Sequence, residues 1–539
     1  MPVIESLIDT NSDEFRKNRE DMLAAVGEFR AIERSVRDTA EKRRSRYEER
    51  GQIMPHERVS LLLDRGSPFL ELMTLNGYKM FDDKDGSTCG GPISGIGYVE
   101  GVRCMITASN SAVAGGTTTP AGLKKALRLQ QMALENKLPL IQLVESGGAN
   151  LLHVTDSFVE GGRGFANQAR LSAEGIPQVT VVHGSSTAGG AYIPGLSDYV
   201  IVVRNRAKIF LAGPPLLKSA TGEIATDEEL GGAEMHASIA GTAEFMAEDD
   251  ADGIRLAREV MRKLPWNDQV APEPKRDFAE PLYSPDELCG AVPADFTKPF
   301  DCREVIARIV DGSEFLEHKE LYDQQTICGW AEIEGHPVGI ISNNGPITTR
   351  GATKAAQFIQ LCVQSKTPLV YLQNTTGYMV GRESEEGGIV KHGSKMIQAV
   401  ANAGKYVPQI TIEMAASFGA GNYGMCGRGF DPRFIFSWPN SRTAVMGPKQ
   451  AAGVMRIVSE AKAERLGQEP DKEQLDAMER KIIDHMEHAS HALYCTARSW
   501  DDGLIDPRDT RKVLAYTLSV CREGDRRKLS PVTFGVARL

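Results

Sequence analysis

PLIQLVESGGAN, running from Pro139 to Asn150, is the stretch on which the fold turns. Leu140, Ile141, Leu143 and Val144 place apolar side chains on both parities, which suits a short strand covered on both faces. Ser146-Gly147-Gly148 then reads as a turn, because adjacent glycines reach backbone conformations that a side chain would block. N–H groups exposed just beyond a strand end can hold a developing oxyanion, such as a thioester enolate. The same glycines also serve an ordinary strand-to-helix turn. Recurrence of the pattern separates the two readings.

The pattern does recur. PLIQLVESGGAN corresponds to PLVYLQNTTGYM at 368–379, and the helix-like segment before it, AGLKKALRLQQMALENKL, corresponds to GATKAAQFIQLCVQSKT. SSTAGGAYIPGLSD from Ser185 corresponds to ASFGAGNYGMCGRGFD from Ala416, and Gly213-Pro214 to Gly447-Pro448. The offset drifts from 229 residues at Pro139/Pro368 to 234 at Gly213/Gly447, as small loop insertions would produce. Four ordered matches indicate a tandem duplication, with too long a period and too few copies for a solenoid. Each copy offers two glycine-rich turns: Gly147-Gly148 with Gly189-Gly190, and Thr376-Gly377 with Gly419-Ala420-Gly421. No G-x-S-x-G elbow or Walker A lysine accompanies them, nor a G-x-G-x-x-G after a first strand, so backbone donation to a negative oxygen is the chemistry left standing.

Around these copies the chain is ordinary in make-up. It has 539 residues, 41% hydrophobic and 25% charged, enough for two to four domains with sizeable cores. A net charge of −10 argues against a general nucleic-acid partner. No run reaches membrane-span length and MPVIESLIDTNSDEF lacks signal-peptide layout, so no membrane partner and a cytoplasmic location are expected. Nine scattered cysteines without a C-x-x-C pair fit reduced thiols and no Cys₄ metal site.

Four segments are expected in order. Residues 1–50 form an N-terminal helical segment with an apolar stripe at Met22, Leu23, Val26, Phe29 and Ile32, and its basic residues 41–50 read as a solvated face. Residues 51–265 alternate strands and helices, with strands at 95–99, 102–108, 140–144, 178–182 and 199–203, and predict an α/β domain with parallel pairing. A proline-rich linker occupies 266–300, and 301–539 hold the second copy with a helical insertion at 458–497. His485, His488 and His491 drift around that helix and lack a ligand set, so no metal is expected.

From about Arg50 onward, the segments VESGGANL, STAGGAYIPGLSDY, FLAGPPLLKSATGE, GIVKHGSKM, SFGAGNYGMCGRGFDPRF and WPNSRTAVMGPKQAA resemble the carboxyltransferase (β) subunits of biotin-dependent acyl-CoA carboxylases. The resemblance implies an α/β fold of two tandem crotonase-like (ClpP/crotonase) β-β-α superhelix domains, binding acyl-CoA on 51–265 and biotin on 301–539. It implies catalytic amides at Gly147 and Gly148 for the thioester oxygen, and at Ala420 and Gly421 for the ureido oxygen of biotin. Gly115, Gly116, Thr117, Gly189 and Gly190 take substrate-binding roles by the same resemblance, and Thr376, Gly377 and Gly419 biotin-binding ones. The cofactor, rather than a side chain, would accept the substrate proton, in keeping with the lack of a His/Asp or Cys/His constellation. The chain has no A-M-K-M biotinylation sequence or ATP-grasp signature, so a separate α subunit would supply biotin carboxylase and biotin carrier. The family further implies a homo-hexamer within an α6β6 complex, each site shared between neighbouring subunits.

The acyl group is read from 161–169. The resemblance is strongest to methylcrotonyl- and geranyl-CoA carboxylases, which carboxylate the γ-carbon of branched enoyl-CoAs. Methylcrotonyl enzymes resemble one another in a loop ending F-G-R-I-F-F-N-Q-A; here the segment is GGRGFANQA, with Gly161, Gly164 and Ala166 where bulk is expected. A floor of small residues suits the longer geranyl tail and terpene catabolism. Methylcrotonyl-CoA, as in leucine catabolism, is the alternative, followed by a biotin-dependent decarboxylase subunit and a non-catalytic CoA-binding scaffold.

Overall fold

The computed structural model describes residues 1–271, 276–467, 469, 471–532 and 535–536. It has two sheets. The first comprises β1 (Leu70–Glu71), β2 (Ile93–Val99), β3 (Val102–Ala108), β4 (Leu140–Ser146), β5 (Gln178–Thr187), β6 (Tyr199–Val203), β7 (Lys208–Phe210) and β8 (Phe245–Ala247). The second comprises β9 (Leu316–Glu317), β10 (Thr326–Ile333), β11 (His336–Asn343), β12 (Leu369–Thr375), β13 (Gln409–Phe418), β14 (Phe434–Ser437) and β15 (Arg442–Ala444).

The strand order is β1-β2-β3-β4-β5-β6-β8, with β7 on β5, in one sheet, and β14-β13-β12-β11-β10-β9, with β15 on β13, in the other. Each sheet has an antiparallel hairpin, β2/β3 or β10/β11, followed by parallel pairings through β4 and β5 or β12 and β13. The duplication read from the sequence is therefore a duplication of topology. β4 and β12 are buried almost throughout because helices cover them, as parallel strands require.

The main helices are α1 (Asp13–Glu41), α2 (Pro55–Leu62), α3 (Pro120–Glu135), α4 (Phe158–Ala173), α5 (Asp250–Lys263), α6 (Thr349–Ser365), α7 (Ile389–Ala403), α8 (Gly419–Gly424), α9 (Pro448–Arg465), α10 (Lys472–Ser490) and α11 (Thr510–Arg526). Equivalent threonines start α3 and α6: Thr119 accepts from the Gly122 N–H (3.1 Å) and Thr348 from the Gly351 N–H (2.9 Å). Six residues further on, each helix buries a lysine. Lys125 donates to the carbonyls of Gly90 (2.8 Å) and Pro92 (2.7 Å), and Lys354 to that of Asp323 (3.2 Å).

Compactness groups the chain into two units, neither continuous in sequence. A first unit holds Ala31–Glu273, Ala497–Ser499 and Val520–Leu539, and a second holds Met1–Arg30, Pro274–Thr496 and Trp500–Ser519. The segment expected at 1–50 is divided, since the break falls inside α1. Met22 and Phe29 of its apolar stripe are fully buried. Part of the expected linker is also folded: Pro285–Glu287 and Leu288–Ala291 form helical turns that bury Leu288, Cys289 and Val292. The apolar run LCGAV outweighs the surrounding prolines; residues 272–275 of that stretch lie outside the described residues.

A further difference concerns 158–173. The sequence indicates a helix at 165–173, and helix α4 extends it back through Gly164 and Gly161 to Phe158, where a loop is expected. Its glycines are poor helix formers, but tertiary contacts decide the matter. Gln130 of α3 donates to the Gly164 carbonyl (3.1 Å) and accepts from Asn167 (3.1 Å), and the Phe165 and Tyr192 rings lie 5.5 Å apart.

Candidate active site

Where β4 ends, its register against β5 slips between Val144 and Ser146 and the chain turns through Gly147 and Gly148. Gly148 has φ +90°, a conformation that favours glycine. The turn is laced to the loop at 115–118. The Gly147 N–H donates to the Gly115 carbonyl (3.1 Å), and the Thr118 N–H to the Gly148 carbonyl (2.9 Å). The Ser146 hydroxyl donates to the Gly116 carbonyl (2.7 Å) and accepts from the Gly148 N–H (3.1 Å). A side chain at Gly116 would strike the Glu145 carbonyl at 2.6 Å, so only glycine allows this approach.

The structure thus brings Gly115, Gly116 and Thr117 beside Gly147 and Gly148, but it gives both turn amides internal acceptors. A thioester oxygen would have to share or replace these. Donors of another kind lie beyond β5, where Ala188–Ala191 form a short 3₁₀ turn containing Gly189 and Gly190. The first N–H groups of such a turn have no acceptor within it. The two turns adjoin: a Cβ built on Gly148 would lie 3.7 Å from the Thr187 carbonyl. A Cβ on Gly189 would lie 3.6 Å from the Phe165 ring of α4, so α4 lies next to this turn.

A cavity of about 330 Å³ opens over Gly115, Ser146 and Gly147, and Arg43, Arg46 and Arg50 border it. The basic run is solvated, as expected: Arg43, Arg46 and Arg50 are exposed. Arg44, half-buried, pairs with Glu41 and with Glu57 (2.8 Å), while Arg43, Arg46 and Arg50 border the cavity and bring positive charge to its mouth. A second cavity, of about 200 Å³, is lined by Gly116, Thr117, Ser146 and apolar groups including Met80, Leu129, Val144 and Ile193. Gly161, Gly164 and Ala166 line neither, and a Cβ on Gly161 or Gly164 would meet nothing within 4 Å.

The second unit repeats this arrangement with changes. Gly377 (φ +116°) accepts from the Ile347 N–H (2.9 Å), and its own N–H donates to the Thr375 hydroxyl (3.2 Å). Thr376 stands exposed beside it. The expected turn at Gly419-Ala420-Gly421 is the first turn of α8, whose leading amides have no intrahelical acceptors. Cβ on Gly421 would lie 2.9 Å from the Gly377 Cα, which seats α8 directly on the β12 turn.

Two charged clusters escaped the sequence reading. In the first unit Arg58 joins Glu145 to Asp250; in the second, Glu413 is buried beneath α8. Asn422 of α8 donates to Glu413 (3.3 Å), as do Ser437 (2.9 Å) and Thr443 (3.2 Å). Burial, and then the charge of Asp501, push the Glu413 carboxyl up to about 7, and burial pushes Asp501 up to about 6. The sequence signal for each was a charged residue on an interior strand, Glu145 on β4 and Glu413 on β13. Among the described residues no cluster of His, Cys, Asp or Glu could hold a metal ion, and all nine cysteines are buried.

A carboxyl transferase domain profile matches residues 46–535. Over 540 residues, covering all of both chains, the sequence is 47% identical to a probable biotin-dependent acyl-coenzyme A carboxylase beta2 subunit of Mycobacterium tuberculosis. It is 46% identical over 544 residues to the mitochondrial methylcrotonoyl-CoA carboxylase beta chain of Dictyostelium discoideum, covering all of this chain and 91% of that one. The crystal structure of the beta subunit of P. aeruginosa geranyl-CoA carboxylase superposes with a TM-score of 0.94 at 60% identity, covering all of both chains.

Proposed function

Since the chain belongs to the carboxyl transferase family and is the carboxyltransferase β subunit of a biotin-dependent acyl-CoA carboxylase, we propose that its substrate is geranyl-CoA, carboxylated at the γ-carbon. We assign the acyl-CoA to the first unit and biotin to the second. The arginine-bordered cavity over Gly147 carries the first assignment: it joins an amide-bearing turn, fit for a thioester oxygen, to three cations fit for the anionic end of CoA. In an enoyl thioester the γ-proton is acidified through the conjugated double bond. Charge developing on removal of that proton collects on the thioester oxygen, within reach of the amides of Gly147, Gly148 and Gly189.

Biotin, when bound, brings the carboxyl group to be transferred. Ala420 and Gly421 would hold its ureido oxygen, with Gly419, Thr376 and Gly377 around it. The fit rests on first-turn amides without intrahelical acceptors and on a glycine contact that leaves no room for a side chain. A separate α subunit carries the biotin, and the β subunits form a hexamer with each site drawn from two neighbours. Exposed Leu152, Phe158 and Val159, each at least 77% accessible, are the kind of apolar surface that such neighbours cover.

For the acyl group, the observation that matters is the open space over Gly161 and Gly164 on a helix adjoining the Gly189 turn. Each methylene that a neighbouring subunit buries against this face adds about 0.8 kcal/mol, so the extra isoprene unit of a geranyl chain favours it by roughly 2–4 kcal/mol in the assembled hexamer. The test is kcat/KM for geranyl-CoA and methylcrotonyl-CoA in complex with the α subunit, ATP and bicarbonate. Wild type is expected to prefer geranyl-CoA at least about tenfold, and Gly161→Phe to reverse the preference. Preference of wild type for methylcrotonyl-CoA, the second reading, or geranyl turnover untouched in Gly161→Phe, defeats the assignment.

A further inference from the structure

Glu145 stands immediately before the Ser146-Gly147-Gly148 turn, and its counterpart after the duplication is the uncharged Asn374. The Glu145 side chain lies across β5, where Gly184 makes room: a Cβ there would come within 2.6 Å of the Glu145 Cγ. Its carboxylate, 16% accessible, accepts from Arg58 Nη1 (2.6 Å) and Gln52 Nε2 (3.0 Å), and with Gln52 it lines the same cavity as Gly147. Arg58 is 1% accessible and extends its other face to Asp250 Oδ2, from Nη2 (2.8 Å) and Nε (3.2 Å). Asp250, the first residue of α5, also accepts from the Ile53 N–H (2.8 Å) and contacts His183 Nδ1 of β5 (2.9 Å). Burial and the nearby Arg58 charge lower the His183 pKa, so the ring is neutral with its proton on Nδ1 toward Asp250.

Together these groups tie the last residues of β4 to β5, α2 and α5 at the point where the β4/β5 register slips. The turns that follow the two strands carry the amides of Gly147, Gly148 and Gly189. Two donors polarise one oxygen only if their spacing is held to a fraction of an ångström. A planar guanidinium gripping two carboxylates fixes spacing better than a point charge. We propose that Arg58, backed by Asp250 and assisted by Gln52, is a positioning residue acting through Glu145 to set the separation of the amide turns after β4 and β5. The inference rests on the reading that these turns receive the acyl-CoA oxygen.

The test uses the assembled complex with Glu145→Gln, Arg58→Lys and the milder Gln52→Ala, which removes one neutral hydrogen bond. Without ATP, bound acyl-CoA labelled with ¹³C at the thioester carbonyl is examined by isotope-edited infrared spectroscopy. With ATP, kcat and KM are measured. In wild type the carbonyl band should move to lower frequency than in water. In Glu145→Gln and Arg58→Lys it should return toward the aqueous position, with kcat down by about 10- to 100-fold and the acyl-CoA dissociation constant within about twofold. Gln52→Ala should show a smaller displacement of both band and kcat. A wild-type band at the aqueous position refutes the acyl-CoA reading of the turns and leaves the positioning idea without a site. A displaced band in wild type that stays displaced in the folded variants, with kcat unchanged, overturns the positioning role alone. Should the two charged-site variants fail to fold, Gln52→Ala decides by the same criterion.

Discussion

Glu413 shows how one side chain separates two otherwise parallel halves. Its position on β13 corresponds to Val182 on β5, so a carboxyl replaces an isopropyl group beneath the amide-bearing turn. Burial first and Asp501 second raise its pKa from 4.5 to about 7, so at neutral pH the proton is half held. The linkage sign follows. With a folded pKa above the unfolded one, the stabilisation from holding the proton is complete below about pH 4.5 and is lost as pH rises through 7. Glu413→Gln keeps the shape and acceptor oxygen without the titration. Its melting temperature should match wild type near pH 5 and exceed it at pH 8, by on the order of 3 kcal/mol in stability. Melting curves that stay parallel across this range would mean the carboxylate is ionised at little cost.

At the scale of elements, the strands and the duplication were legible because apolar runs and paired glycines carry them directly. β3 occupies Val102–Ala108 and β6 Tyr199–Val203, as the runs indicated. Helix α4 was legible only from Phe165 onward; its first half was not, because three glycines among Gly161–Gly164 mimic a loop and the grip of Gln130 and the Phe165 ring make that part helical. Neither was the clamp on Glu145, whose members are scattered from Gln52 to Asp250 and meet only through the sheet. The paired buried lysines, Lys125 and Lys354, were hidden for a related reason: on sequence alone a lysine reads as solvent-facing. Gly162 tests the helix. It is exposed, and a Cβ on it meets nothing within 4 Å. In a helix, Gly162→Ala should stabilise the protein by roughly 0.5–1 kcal/mol, read as a raised melting temperature. A flexible loop would gain no such helical increment, so an unchanged or lower value counts against α4 as drawn.

For the whole molecule, duplication followed by divergence has left one unit with arginines and an acidic clamp and the other with a neutral glycine seat over a buried carboxyl. Such specialisation fits the proposal that each site takes its acyl-CoA turn from one subunit and its biotin turn from a neighbour. Two variants separate that arrangement from a site within one chain. Gly148→Ala forces an alanine to φ +90° in the first unit, and Gly421→Ala pushes a methyl to within 2.9 Å of the Gly377 Cα in the second. Each alone should lose about 10²–10³-fold in carboxylation while oligomer size and melting behaviour remain close to wild type. Co-expressed and purified as mixed hexamers, the two behave differently under the two arrangements. Every single-chain site would still contain one damaged turn, and activity would stay at the level of the separate variants. A site shared between neighbours can combine the intact first unit of one chain with the intact second unit of the other. With random mixing this occurs at about a quarter of the sites, so recovery of about a quarter of wild-type activity is expected. Mixed oligomers verified by mass that recover none place the site within a single chain.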